Sequence, residues 1–268
     1  MTKIQDKPIG VFDSGLGGLT VFKEMRKILP YEDIIYFGDT MRVPYGDKSV
    51  ENIRKFASDI SQFFYSLDVK MIVVACNTVS ANALDVVEEI SKVNVVGVIK
   101  PGVDAALKRT KTGKIVVIGT RATIKSHAYL KTIKSISKKI KVKEKPCPLF
   151  VPIVEEGFVN HPVSELVVYE YLSEFKDTDY DTIILGCTHY PLLKKQIKKV
   201  LGSNINIIDS SKVCANHVKD ELVKNNIAYE GVRKGKSIFY VSDVPQNFKN
   251  LAYRLAGIKI CKINIKRF

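Results

Sequence analysis

The chain has no run of the ~18 to 20 uninterrupted apolar residues that a membrane span requires. Its first residues, Met1 to Pro8, lack the apolar core of a signal peptide. A cytoplasmic protein with no membrane partner is the expectation. Cysteine is sparse and unpatterned: Cys76, Cys147, Cys187, Cys214 and Cys261 are five in number, widely spaced and free of any C-x-x-C pair. In a reducing compartment these are free thiols rather than disulfides, so burial or chemistry must explain each one. Acidic residues are outnumbered, 28 against 42 Lys and Arg, for a net charge of +14. Such a field favours anionic partners, from nucleic acid down to a dicarboxylate. Yet the densest basic stretch, 125 to 145, has only Tyr129 near its lysines and carries no nucleic-acid module signature. It reads as a solvated face, and no nucleic-acid partner is expected. What remains is a 268-residue, 46% hydrophobic chain, long enough for one large domain or two smaller ones with real cores.

Short apolar runs alternate with amphipathic segments along the whole length. Strands are expected at Ile9–Asp13, Asp33–Phe37, Lys70–Ala75, Val93–Val98, Lys114–Ile118, Thr182–Leu185, Ile205–Ile208 and Ser237–Val241. In the first intervening segment Leu19, Phe22, Met25 and Leu29 share one face of a helix. The strands are apolar almost throughout, as in sheets covered on both faces, which implies mainly parallel α/β architecture. The chain also repeats itself. Ile9-Gly10-Val11-Phe12-Asp13-Ser14 has the form of Ile115-Val116-Val117-Ile118-Gly119-Thr120, and at similar distances beyond each an apolar strand ends in a cysteine, Cys76 and Cys187. Two similar α/β domains facing one another follow, with a boundary near Val98–Lys100, where Pro101 and Gly102 open the next helix.

In open α/β sheets ligands bind beyond the carboxyl ends of the strands. Asp13-Ser14, Pro44-Tyr45-Gly46, Cys76-Asn77-Thr78 and Cys187-Thr188-His189 belong there. Free cysteine is usually buried and inert, which suffices for Cys147, Cys214 and Cys261. Cys76 and Cys187 differ, because each ends a strand just before a helix, where free N–H groups and the helix dipole favour a thiolate. Two symmetrically placed thiols suit a reaction with a base on one face of a carbon and an acid on the other, as in racemisation. Asp13 reads either as a thiol's partner or as an N-cap to a helix starting near Leu16. His189 reads as a partner, a core histidine or a zinc ligand, although no tight ligand cluster accompanies it and no metal is expected. The turn Gly15-Leu16-Gly17-Gly18, with Asp39 some 21 residues on, partly fits a dinucleotide site, but Thr20 stands where the third glycine belongs. A cysteine phosphatase fits less well still, since Asn82 and Leu193 occupy the place of its arginine.

Assembled, these stretches resemble the bacterial glutamate racemases of the aspartate/glutamate racemase superfamily. The resemblance rests on Gly10 to Thr20, Pro44-Tyr45-Gly46, Ala75-Cys76-Asn77-Thr78, Phe150 to Gly157, and Leu185 to Leu193, in that order and across essentially the full chain. It implies two pseudosymmetric α/β domains, 1–98 with 208–268 and 99–207, around a cleft holding the active site. It implies that Cys76 and Cys187 exchange roles as base and acid, Asp13 assisting the first, His189 and Glu155 the second. Ser14, Tyr45, Gly46, Asn77, Thr78, Thr120, Thr123 and Thr188, with Asp13 and His189, would bind the amino acid. It further implies glutamate as substrate, with aspartate its nearest rival, no cofactor, D-glutamate for peptidoglycan as product, and a homodimer as the candidate assembly.

Overall fold

A computed structural model describes residues 3–244 and 248–268. Ten strands alternate with helices: β1 Ile9–Asp13, β2 Ile34–Gly38, β3 Met71–Val74, β4 Asn94–Gly97, β5 Lys114–Gly119, β6 Lys141–Pro146, β7 Thr182–Gly186, β8 Asn206–Asp209, β9 Ser237–Val241 and β10 Asn264–Ile265. They form two sheets, ordered β10-β9-β2-β1-β3-β4 and β6-β5-β7-β8, and every pairing is parallel. The eight expected strands are all present within one residue at either end.

The strand orders establish the internal duplication. Replacing β1, β2, β3 and β4 by β5, β6, β7 and β8 converts the order 2-1-3-4 of the first sheet into that of the second. The two matched pairs of sequence stretches are β1 with β5 and β3 with β7, all interior strands of their sheets. The first sheet adds β9 and β10 beyond β2. In this order the direction of winding reverses between β1 and β3, and again between β5 and β7. The crevice at such a switch point lies beyond the strands' carboxyl ends.

The central strands are fully buried because both their faces carry apolar side chains: β1, β3 and β7 have no exposed residue. The helix Leu19–Ile28 lays Leu19, Val21, Phe22 and Met25 inward, each side chain contributing about 1.5–3 kcal/mol when fully buried. It packs on the helix Ser210–Lys224, which also packs on the helix Ile99–Arg109. One apolar cluster therefore runs through both halves, from Ile9 and Val73 in the first sheet to Val116 and Leu185 in the second, with Cys214, Val218 and Leu222 of the Ser210–Lys224 helix in it. Pro101 lies in the first turn of Ile99–Arg109, where the backbone N–H it lacks has no helical partner in any case.

Two expectations are corrected, and the strand β6 lies where none is expected. The helix expected near Leu16 begins at Leu19, so Asp13 is too far upstream to cap it, and the N-cap position is Gly18. Cys261, expected to be buried, is exposed, whereas Cys147 and Cys214 are buried. The lysine-rich stretch contains β6, an edge strand whose alternating Lys141, Lys143 and Lys145 hid its identity; Lys141 and Lys143 face solvent. Charged edge strands of this kind resist pairing with other chains. Among the described residues no helix is long and apolar enough to cross a membrane.

Candidate active site

A cavity of about 250 Å³ opens between the two sheets. Its wall carries the carboxyl-end residues of both switch points: Ser14 after β1, Cys76 after β3, Thr120 after β5 and Cys187 after β7. Tyr45, Gly46, Asn77, Thr78, Thr188, His189 and Glu155 complete the set of expected residues that line it. Asp13 and Thr123 do not reach the wall. Asp13 lies wholly buried behind Ser14, and Thr123 bonds the hydroxyls of Thr78 (3.3 Å) and Thr120 (3.0 Å) from behind.

The glycine turn brings the halves together. A Cβ on Gly17 would lie 2.2 Å from Thr188 Oγ1 and 2.5 Å from His189 Cε1, and one on Gly18 would lie 2.4 Å from Asp13 Cβ. Thr20 ties the same turn to the other half, its hydroxyl 2.9 Å from Ser211 Oγ and donating to Thr188 O at 3.3 Å. The close approach that a dinucleotide site would reserve for a pyrophosphate is thus filled by protein. Asp39 is likewise committed, accepting from Arg42 Nε at 2.5 Å and from the Tyr45 hydroxyl. The Tyr45 hydroxyl is thus committed to Asp39, although the residue lines the cavity. Gly46 closes on Thr120, whose Cβ would stand 2.8 Å from any side chain there.

The two thiols sit in unlike surroundings. Cys76 occupies the N-cap position of the helix Asn77–Asn82, and its Sγ donates to Ser14 Oγ at 3.6 Å. Burial pushes its pKa up to about 12, the nearby Asp13 charge adds to the rise, and hydrogen bonds from Val79 and Ser14 offset only part of it. The expectation of a helix-stabilised thiolate fails here because desolvation outweighs the N–H groups of one short helix. Asp13 is itself raised, by burial first, against the pull of His189 and the Gly18 and Gly15 amides. Its Oδ2 accepts from Gly15 N at 3.1 Å, while Oδ1 has no hydrogen-bond partner among the described residues.

Cys187 is followed by a short 3-10 turn, Tyr190–Leu193, rather than directly by an α-helix. Its Sγ lies 3.8 Å from His189 Nδ1, and His189 Nε2 lies 3.0 Å from Glu155 Oε1. Burial opposes a charge on His189, yet the hydrogen bonds to Cys187 and Glu155 prevail and lift it to about 10. The line Cys187–His189–Glu155 therefore sets the Cys187 sulfur beside an imidazole that favours its protonated form and that Glu155 holds in place. Glu155, not Glu156, makes that contact, although both line the cavity.

Sequence reasoning passed over Tyr129 and the pair Arg121–Asp47. Tyr129 donates its hydroxyl to Asn77 Oδ1 at 2.6 Å; as an apolar-face aromatic inside the basic stretch it gave no sign of this. Arg121 and Asp47 face each other across the cavity, Nη1 to Oδ1 at 3.0 Å, both more than half exposed. Among the described residues no cluster of His, Cys, Asp and Glu could hold a metal ion.

Known proteins share both the sequence and this architecture. Residues 9–218 match the family model of the Asp/Glu/hydantoin racemases. A glutamate racemase of Chlorobaculum tepidum is 49% identical over 251 residues, 93% of this chain and 92% of that one. The crystal structure of the Francisella tularensis glutamate racemase in complex with D-glutamate superposes with a TM-score of 0.93 at 42% identity, covering 98% of both chains. That of Escherichia coli, in complex with L-glutamate, gives 0.80 at 25% identity over 97% of this chain and 98% of that one. The chain belongs to the Asp/Glu/hydantoin racemase family, and within it to the glutamate racemases.

Proposed function

We propose that this protein interconverts L- and D-glutamate without a cofactor, one of the thiols Cys76 and Cys187 taking the α-proton while the other delivers its own proton to the opposite face of Cα. The observation that carries this reading is the presence of both thiols in the lining of one cavity, each just past the end of one of the matched strands β3 and β7. In one direction Cys187, as thiolate, takes the α-proton while Cys76, held as a thiol, delivers its own proton to the opposite face. Cα is inverted, Cys187 leaves as the thiol and Cys76 as the thiolate. The reverse reaction starts from that second state.

The charges behind each thiol support the two states. A protonated His189 compensates negative charge on Cys187. On the other side Asp13, with one unpartnered oxygen, is a local base that can share the proton of Cys76. The carbanion-like transition state places charge on the substrate carboxylate, and preorganised donors in a closed site stabilise such charge. Ser14, Asn77, Thr78, Thr120 and Thr188 supply them. Thr123 holds two of those hydroxyls, and Asp13 acts through Cys76 rather than on the substrate.

The reading includes work by two domains, 1–98 with 208–268 and 99–207, closing on the substrate, supported by the two sheets and the contacts across the cavity. It also carries cytoplasmic residence, which suits free thiols, supply of D-glutamate to peptidoglycan synthesis, and a homodimer open to test by analytical ultracentrifugation. The deciding experiment incubates L-glutamate in heavy water with no added cofactor. D-glutamate carrying deuterium at Cα is expected, and Cys76→Ala or Cys187→Ala should nearly abolish it in folded protein. Wild-type turnover in either variant would sink the two-thiol mechanism, and faster turnover of aspartate than of glutamate would sink the substrate.

A further inference from the structure

Asn77 opens the helix Asn77–Asn82 and is 2% exposed. Its Oδ1 carries no hydrogen, so at 2.6 Å the Tyr129 hydroxyl must be the donor. Its Nδ2 is buried and has no partner among the described residues, while the residue lines the cavity. The terminal torsion of an asparagine is broad and nearly two-fold, so nothing intrinsic decides which end of the amide faces the substrate. A turned amide would present a carbonyl oxygen to a carboxylate, which repels it. Tyr129 removes that freedom.

We propose that Tyr129 is a positioning residue: its hydroxyl, bonded to Asn77 Oδ1 from the opposite half of the molecule, aims Asn77 Nδ2 at a carboxylate oxygen of the substrate. Tyr129 stands on the helix Ala128–Ile136 beside the second sheet, and Asn77 follows β3 of the first. The donor is therefore set only while the two halves are together. The ring is wholly buried, and a Cβ on Gly186, the residue before Cys187, would lie 3.2 Å from its Cε2. A small residue next to one thiol thus admits the side chain that orients the neighbour of the other. Burial raises the phenol above its ordinary range, so it remains a donor at any pH an assay uses. The inference rests on the glutamate reading, because only an anionic substrate asks for a donor here.

The test is a double-mutant cycle on the full-length protein with Tyr129→Phe and Asn77→Ala, following kcat, KM and Tm. Tyr129→Phe keeps the ring and its packing and deletes one hydroxyl. It should lower kcat/KM about tenfold, the cost of losing the bond from Asn77 Nδ2 to the charged carboxylate once the amide is free to turn. The loss should fall mostly on kcat, because the charge received grows toward the transition state. Asn77→Ala should lose more, and Tyr129→Phe should cost nothing further in its background. Wild-type kcat/KM in Tyr129→Phe, or full additivity of the two changes, overturns the inference. Should Tyr129→Phe fail to fold, Asn77→Asp decides: it keeps an acceptor for Tyr129 and deletes the donor. Glutamate should then bind far more weakly by calorimetry, and wild-type affinity overturns the inference. A wild-type protein that neither binds nor racemises glutamate overturns the functional reading along with it, whereas an active wild type with additive variants overturns this inference alone.

Discussion

His189 shows how a single residue's protonation follows from its neighbours. Alone in a buried site it would be neutral; with Cys187 Sγ on one nitrogen and Glu155 Oε1 on the other it holds its proton up to about pH 10. The sign of the linkage follows. The folded pKa lies above the unfolded value near ~6.5, so the stabilisation from the protonated ring is complete below about 6.5 and is lost as pH rises through about 10. Glu155→Gln removes one of the two supporting partners. The alkaline limb of kcat/KM should then move to lower pH, with the acid limb left in place, in a pH–rate profile. An unmoved alkaline limb would mean that Glu155 does not set the charge on His189. At this scale much of the site was legible in the sequence, since Cys76, Cys187, Asp13 and His189 all end or follow apolar strands. What was not legible was the resting state of Cys76. The amides of the Asn77–Asn82 helix can be inferred from sequence, but the burial that overrides them cannot.

At the scale of elements, the turn between β1 and the helix Leu19–Ile28 carries the most consequence. Its glycines admitted two interpretations from sequence, a phosphate cradle or a close protein contact, and the pattern alone could not choose. The choice depends on what approaches from outside the turn, and that is Thr188-His189, some 170 residues away in the chain. Tyr36, donating to Gly15 O at 2.8 Å, fixes the turn from its own side. Gly17→Ala should therefore act on catalysis rather than on folding alone. Its Cβ would push Thr188 and His189 outward, and displacements near 1 Å at a reacting centre cost on the order of 10²-fold in rate. A 10²-fold loss of kcat/KM in a protein with a native circular-dichroism spectrum is the expected result, and near-wild-type kinetics would show that the loop relaxes. β6 illustrates the opposite difficulty. Its lysines give it the composition of a loop or a solvated helix face, and only pairing with β5 makes it a strand.

The molecule as a whole is a cation, and the substrate proposed for it is an anion. The duplication was readable in the sequence because two short apolar stretches matched twice, whereas the sharing of one core across both sheets was not, since it depends on how the helix Ser210–Lys224 packs against elements of both halves. At the cavity mouth Arg121, after β5, meets Asp47 from the first half. An ion pair this exposed contributes little to stability, about 0–1 kcal/mol, so its removal should leave Tm nearly unchanged. Its effect belongs instead to the approach of the substrate. A dicarboxylate drawn toward a chain of net charge +14 meets Arg121 at the rim, and fields of this kind act on encounter rates and are screened by salt. For the wild type, kcat/KM should fall as ionic strength rises from about 0.01 to 0.2 M, a range over which the screening length shrinks severalfold. Arg121→Ala should raise KM, leave kcat within about twofold and flatten that dependence. Asp47→Ala should do the reverse to KM, because it frees the guanidinium and removes a repelling carboxylate. Both variants shifting kcat instead would show that the pair governs closure over bound substrate rather than its arrival.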